Sequence, residues 1–355
     1  MQMQSFCRFV NRNWVNVVPV LSAAIVLTSA IAFQSMFVGA NHILPGGFAP
    51  IMVKDSVMGS ARDVAGVDTT AELRLARVRA VASGRLAWVT ASFLHFVLAL
   101  AAIVGGATCI IWVLPLERAP QRRWYAVGCN LGALAISFAI VCCVDYRPVS
   151  DGVVDVIAAR GIDHASLHRA VTLFDVLTFA AGLSLVLTAS CVLIEPDCEN
   201  GIGRGRGAKE AHALCIDLRV NHLRRQQSAM RVVLYMGTAV LIATIMRLSA
   251  LFDWGSACCV MTPELQAFFR GGSTEWGVYS TLLLLAVYLP AALIIYRRAL
   301  DLAETVLPGA SQAERDAWMK NQGLVSSPLE QLPRVAAIVA PFFVGQFGEF
   351  IKKLG

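Results

Sequence analysis

Two side chains of opposite charge stand in this sequence where charge is costly. Asp175 and Arg247 are the only fully charged residues inside its six long apolar runs. On insertion scales a charged group in a membrane segment costs about 2.5 to 3.5 kcal/mol unless it is paired or hydrated. Asp175 is the fifth residue of the run 171–194, and Arg247 is the sixth from the end of the run 232–252. On consecutive antiparallel helices rising about 1.5 Å per residue, both fall about 6 to 8 Å inside the same face. This spacing predicts an ion pair, acting either as a structural clasp or as a gate for an ion or small solute.

His95 is the tenth residue of the run 86–113 and belongs near its middle. There a neutral imidazole can hydrogen-bond a neighbouring helix or serve a proton relay. Bis-histidine haem would need a second histidine inside a run, and His95 has no such companion. Asn130 lies within Gly128-Cys-Asn-Leu-Gly132, where Gly128 and Gly132 would permit close helix packing and Asn130 a hydrogen bond across it.

Asp163, His164 and His168 form a further group. The two imidazoles, one turn apart, suit a divalent metal, with Asp163 either a third ligand or the cap of the helix that follows. Cys258-Cys259 and Cys142-Cys143 could pair near one face, although sequence alone fixes no connectivity. Walker, dinucleotide, nucleophile-elbow and zincin signatures are absent.

The elements that must position these residues follow from composition. The chain has 355 residues, 57% of them hydrophobic and 15% charged. With a mean hydropathy of +0.62, this excludes a water-soluble surface and a disordered chain. Runs of about 20 apolar residues match about 30 Å of hydrocarbon. They occur at 17–40, 86–113, 126–144, 171–194, 232–252 and 276–296. No period-two alternation marks strands, and only closed barrels or helices satisfy their backbones in lipid. The fold class expected is all-α: a polytopic integral membrane protein, a bundle of six transmembrane helices with an interfacial C-terminal helix. Trp14, Trp88, Trp112, Trp124, Trp254 and Trp276 fall at run ends, as an aromatic belt would.

Flanking basic residues number 19 on one side against 10 on the other, which orients both termini to the cytoplasm, as in a bacterial cytoplasmic membrane. Arg8 and Arg12 before the first run, with Ala30-Ile31-Ala32 inside it, could mark a cleavable signal, but charge-free sequence from 13 to 53 is longer than a signal core. The expected organisation is a cytoplasmic segment 1–16, a bundle over 17–305 with outer loop 41–85 and inner loop 195–231, and cytoplasmic or interfacial helices over 306–355. Within these, 70–85 has no Gly or Pro until Gly84 and 208–231 has none, and both should be helices feeding the crossings that follow. Ser311 with Glu314 reads as a capping box, and Ser327-Pro328-Leu-Glu330 as another helix start. The apolar stretch 335–347 is too short to span and should lie at the interface or pack back on the bundle.

The net charge of +6 is carried by membrane-flanking residues, so anionic lipid, not nucleic acid, is the partner implied, together with a second copy or a membrane-complex partner. Three function classes follow. Passage of an ion or small solute leads, because opposite charges at one depth are the most specific feature. A non-catalytic accessory, sensor or effector subunit comes next, and a metal-dependent membrane enzyme using His164 and His168 last.

Overall fold

The computed structural model describes residues 69–113, 128, 130–133, 135–136, 149–158, 162–194, 208–258, 263–324 and 328–354. The predicted crossing 17–40, most of 126–144, and Cys142, Cys143 and Cys259 lie outside them.

Among the described residues every regular element is helical: α1 (Thr69–Val113), α2 (Val149–Ala158), α3 (His164–Val192), α4 (Ala208–Cys258), α5 (Pro263–Val306), α6 (Gln312–Asn321) and α7 (Pro328–Leu354). Four contain stretches long and apolar enough to cross a membrane: Val78–Val113, His164–Val192, Ala213–Cys258 and Ser273–Val306. They hold the predicted runs 86–113, 171–194, 232–252 and 276–296. With no Gly or Pro to stop them before Gly84, residues 69–85 are continuous with the rest of α1, and 208–231 likewise runs unbroken into α4.

α1 and α4 are antiparallel and nearly touch along their length. A Cβ on Gly84 would come within 2.9 Å of the Trp254 Cα, and one on Gly106 within 2.7 Å of the Thr188 hydroxyl of α3. At Gly84 only glycine permits two backbones to come so close. Ala91, Ala99 and Ala102 continue this small-residue face of α1 and are buried. The opposite face exposes Phe93, Val97, Leu100 and Val104. An apolar face turned away from the core suits lipid.

The bundle has two distinguishable ends. At one, Trp88 and Trp254 pack with α2, whose Val153, Val154 and Ile157 are fully buried, Val153 meeting Gly255. At the other, α6 and the segment to Leu324 are tied to α4: Arg224 donates to the Gln322 carbonyl (2.7 Å) and Gln227 to that of Leu324 (2.6 Å). The α5–α6 turn uses Gly309 at φ +80°, and α6 opens with the expected capping box of Ser311 and Glu314.

One expectation needs correction and another is narrowed. Trp88 and Trp254 are not belt residues with wet N–H groups. They are 8% and 2% exposed, their rings 5.5 Å apart, and neither indole N–H has a hydrogen-bond partner. The small residues of α1 bring α4 so close that these rings are enclosed between helices. Of the two placements expected for the apolar stretch 335–347, packing back on the bundle is the one seen: α7 lies along α4 and α5. Thr238 of α4 donates to the Ala337 carbonyl (3.0 Å), Ile338 sits with Leu234 and Leu284, and Gly345 meets the α5 backbone at Gly277.

Candidate functional site

The polar groups gather in the seam of α1, α3 and α4, toward the tryptophan end. Trp88, Ser92 and His95 are spaced four and three apart and so share one face of α1. Thr244, Arg247, Leu251 and Trp254 do the same on α4. The antiparallel register that sets Gly84 against Trp254 and His95 against Thr244 puts Ser92 level with Arg247. α3 completes the seam with Phe174, Asp175 and Thr178.

The predicted ion pair is present. Arg247 Nη2 donates to Asp175 Oδ1 at 2.6 Å, the arginine side chain 1% exposed and the aspartate 18%. Its guanidinium also lies over the Phe174 ring, 5.3 Å from the centroid, a cation–π contact that holds it from a second side. Arg247 Nε and Nη1 have no partner, and neither does Ser92 Oγ. Taking two charges out of water is costly, and their attraction offsets this only with good geometry. Here one direct bond is made while two donors remain unused.

His95 is fully buried, its Nε2 lying 3.1 Å from Thr178 Oγ1 and 3.3 Å from Thr244 Oγ1. Both hydroxyls already donate to their own helices, Thr178 to the Phe174 carbonyl (2.8 Å) and Thr244 to that of Val240 (2.9 Å). A hydroxyl has one proton to give. Nε2 must therefore carry the imidazole hydrogen and donate to both oxygens. Nδ1 then presents a bare lone pair, and it has no partner.

Thr178 also borders a different environment. Beyond it, toward the α6 end, α3, α4 and α5 line a partly open cavity of about 50 Å³, bordered by Gly182, Val186, Met230, Leu234 and Gly237 among others and almost wholly apolar. One threonine thus fixes the histidine with its hydroxyl and walls an apolar cavity.

No protein-family model matches the chain, and neither curated proteins nor solved structures yield a significant match. Function is therefore read from the site itself.

The remaining predicted residues fall elsewhere. Asn130 is brought to α3, where Ser184 Oγ donates to its side-chain oxygen. Among the described residues a Cβ on Gly128 or Gly132 would meet nothing within 4 Å. Asp163 caps α3, accepting from the Ser166 N–H (3.2 Å) and hydroxyl. The Ser166 hydroxyl, with the Ser166 and Ala165 amides, holds this carboxyl below its ordinary range. His164 pairs with Asp155 of α2 at 2.9 Å, and its ring centroid is 5.9 Å from that of His168. Among the described residues no three His, Cys, Asp or Glu side chains converge to hold a metal ion. Sequence reasoning missed Phe174, Thr178, Thr244 and Ser92. For Thr178, Thr244 and Ser92 the one sequence signal is a helical step of three from Asp175, Arg247 and His95 respectively, and Phe174 is the chain neighbour of Asp175.

Proposed function

We propose that this chain is a multi-pass membrane protein that passes or gates a small ion or solute along the α1/α3/α4 seam. In this reading α1, α3, α4 and α5 are four of the crossings and the sequence runs 17–40 and 126–144 two more. The observation that carries it is the double role of Thr178. A charged pair and a histidine with a free lone pair stand on one side of it, and an apolar cavity leads away on the other. Asp175 and Arg247 are the gate. His95, held between two threonines, is the constriction. An apolar cavity next to a polar site admits or excludes water by its hydration, which is how hydrophobic constrictions gate.

The unpaired donors of Arg247 and the lone pair of His95 supply interactions to a species in transit, and the ion pair opens when Asp175 is protonated or Arg247 is drawn to a passing anion. The test is flux in liposomes holding the purified chain, read with a pH-sensitive dye and with ion-selective probes. Asp175→Asn removes the charge and keeps the shape, and is expected to change flux at least tenfold. An unchanged flux in a flux-competent preparation rules out the gate.

A further inference from the structure

We infer that α7 crosses the membrane, so that the chain after Gly345 emerges on the face opposite the α5–α6 turn. Composition hides this, because the uninterrupted apolar stretch of α7 is short. Its contacts do not. The segment leading into α7 is fixed at the α6 end, where Gln227 holds the Leu324 carbonyl. Gln227 precedes the apolar run of α4 by five residues, so this anchor lies outside the hydrocarbon. Halfway along, Thr238 of α4 holds the Ala337 carbonyl, and Ile338 packs on Leu234 and Leu284. At the far end Gly345 rests on α5. A Cβ there would meet the Ser273 carbonyl oxygen at 2.7 Å and the Gly277 Cα at 3.4 Å. Thr274 Oγ1 donates to the Gly345 carbonyl at 3.4 Å.

Ser273 and Thr274 precede the apolar run of α5, and Gly277 is its second residue. The three anchors therefore run from one margin of the apolar slab to the other, antiparallel to α5 and parallel to α4. The length agrees. Pro328 to Gly345 covers about 26 Å at about 1.5 Å per residue, close to the roughly 30 Å of hydrocarbon. Between Pro328 and Gly345 the charged residues are Glu330 and Arg334, both in the half nearer α6, and from Val335 to Gly345 there is none. The long side chain of Arg334 can reach back toward the headgroups on the α6 side. Gly277 against Gly345 is the small-residue contact by which membrane helices associate when no hydrophobic drive separates them from lipid.

The inference concerns relative sidedness and does not depend on which face is cytoplasmic. It is tested with full-length chain in sealed vesicles carrying two protease sites of different specificity. One is inserted after Gly309, where a Cβ would meet nothing within 4 Å, and one is appended after Gly355. Right-side-out vesicles should be cut at one site alone and inverted vesicles at the other alone, with both cut after detergent permeabilisation. Both sites cut in one sealed population would overturn the crossing. Should the insertion unfold the chain, trypsin acting at native Lys320 of α6 gives the same answer with a terminal epitope. Survival of the epitope on a fragment starting after Lys320 supports the crossing, and its loss in those same vesicles refutes it.

Discussion

On the side of α4 that faces α1 and α3, neighbouring helices are held by functional groups: an ion pair, a cation–π contact and a histidine shared by two threonines. On the side that faces α5 and α7, contact is made by backbone and aliphatic surface, with Gly237 against Leu284, Thr238 on a carbonyl, and Gly277 against Gly345. The second arrangement is what lipid-solvated helices need in order to associate, since close packing supplies most of their attraction. The first does more than association requires. It places two charges and several unused donors where each has a cost, and a packing solution was within reach of the same helices.

This contrast can be broken at its charged side first. Arg247→Ala leaves Asp175 buried without its partner and should lower stability by about 3 to 5 kcal/mol. Thermal unfolding in lipid nanodiscs measures this. The double variant Asp175→Leu/Arg247→Leu should recover most of the loss, since buried pairs replaced by apolar residues are often neutral or stabilising. If the seam serves function, the double variant folds and carries no flux. Recovery of both stability and flux would assign the pair to structure alone.

The packed side should yield less. Gly345→Leu drives a side chain into the Ser273 and Thr274 backbone and should cost about 1 to 3 kcal/mol by overpacking, with flux per folded molecule unchanged. A loss of flux at full folding would mean that the two faces of α4 are not independent.

Much of the charged side was legible in the sequence. A carboxylate and a guanidinium inside apolar runs are rare enough to be noticed, and equal depth on antiparallel helices told that they meet. The threonines around His95 were not legible, because Thr is common in such runs and its hydroxyl more often bonds its own helix. Trp88 and Trp254 misled, since tryptophan at the end of an apolar run is the usual sign of an interface, whereas here Gly84 brings two helix backbones together beside them. The seat of α7 was left open between two alternatives for a related reason. Hydropathy counts apolar length, whereas its position is set by two glycines and one threonine that sequence does not pair.

The smallest effect lies outside both faces, at α6. Glu314 accepts from the Ser311 N–H (2.8 Å) and hydroxyl (2.9 Å), and these bonds hold its carboxyl below the ordinary value of 4.5. A lowered pKa in the folded chain stabilises fully above that ordinary value, and the contribution is lost as pH falls through the lowered one. The difference in melting temperature between the native chain and Ser311→Ala should therefore narrow on acidification from neutral pH. A constant difference would mean that the capping box contributes nothing through Glu314.

One junction at the α6 end has a consequence for how the polypeptide holds together. The last carbonyls of α3 receive donors from two other helices: Gln226 of α4 bonds the Val192 carbonyl (2.7 Å), His222 that of Ile194 (3.0 Å), and Arg298 of α5 that of Leu193. Severing the peptide chain between residues 195 and 207 would thus not set its two pieces free. They would remain clasped as a non-covalent heterodimer, each piece completing the hydrogen bonding of the other.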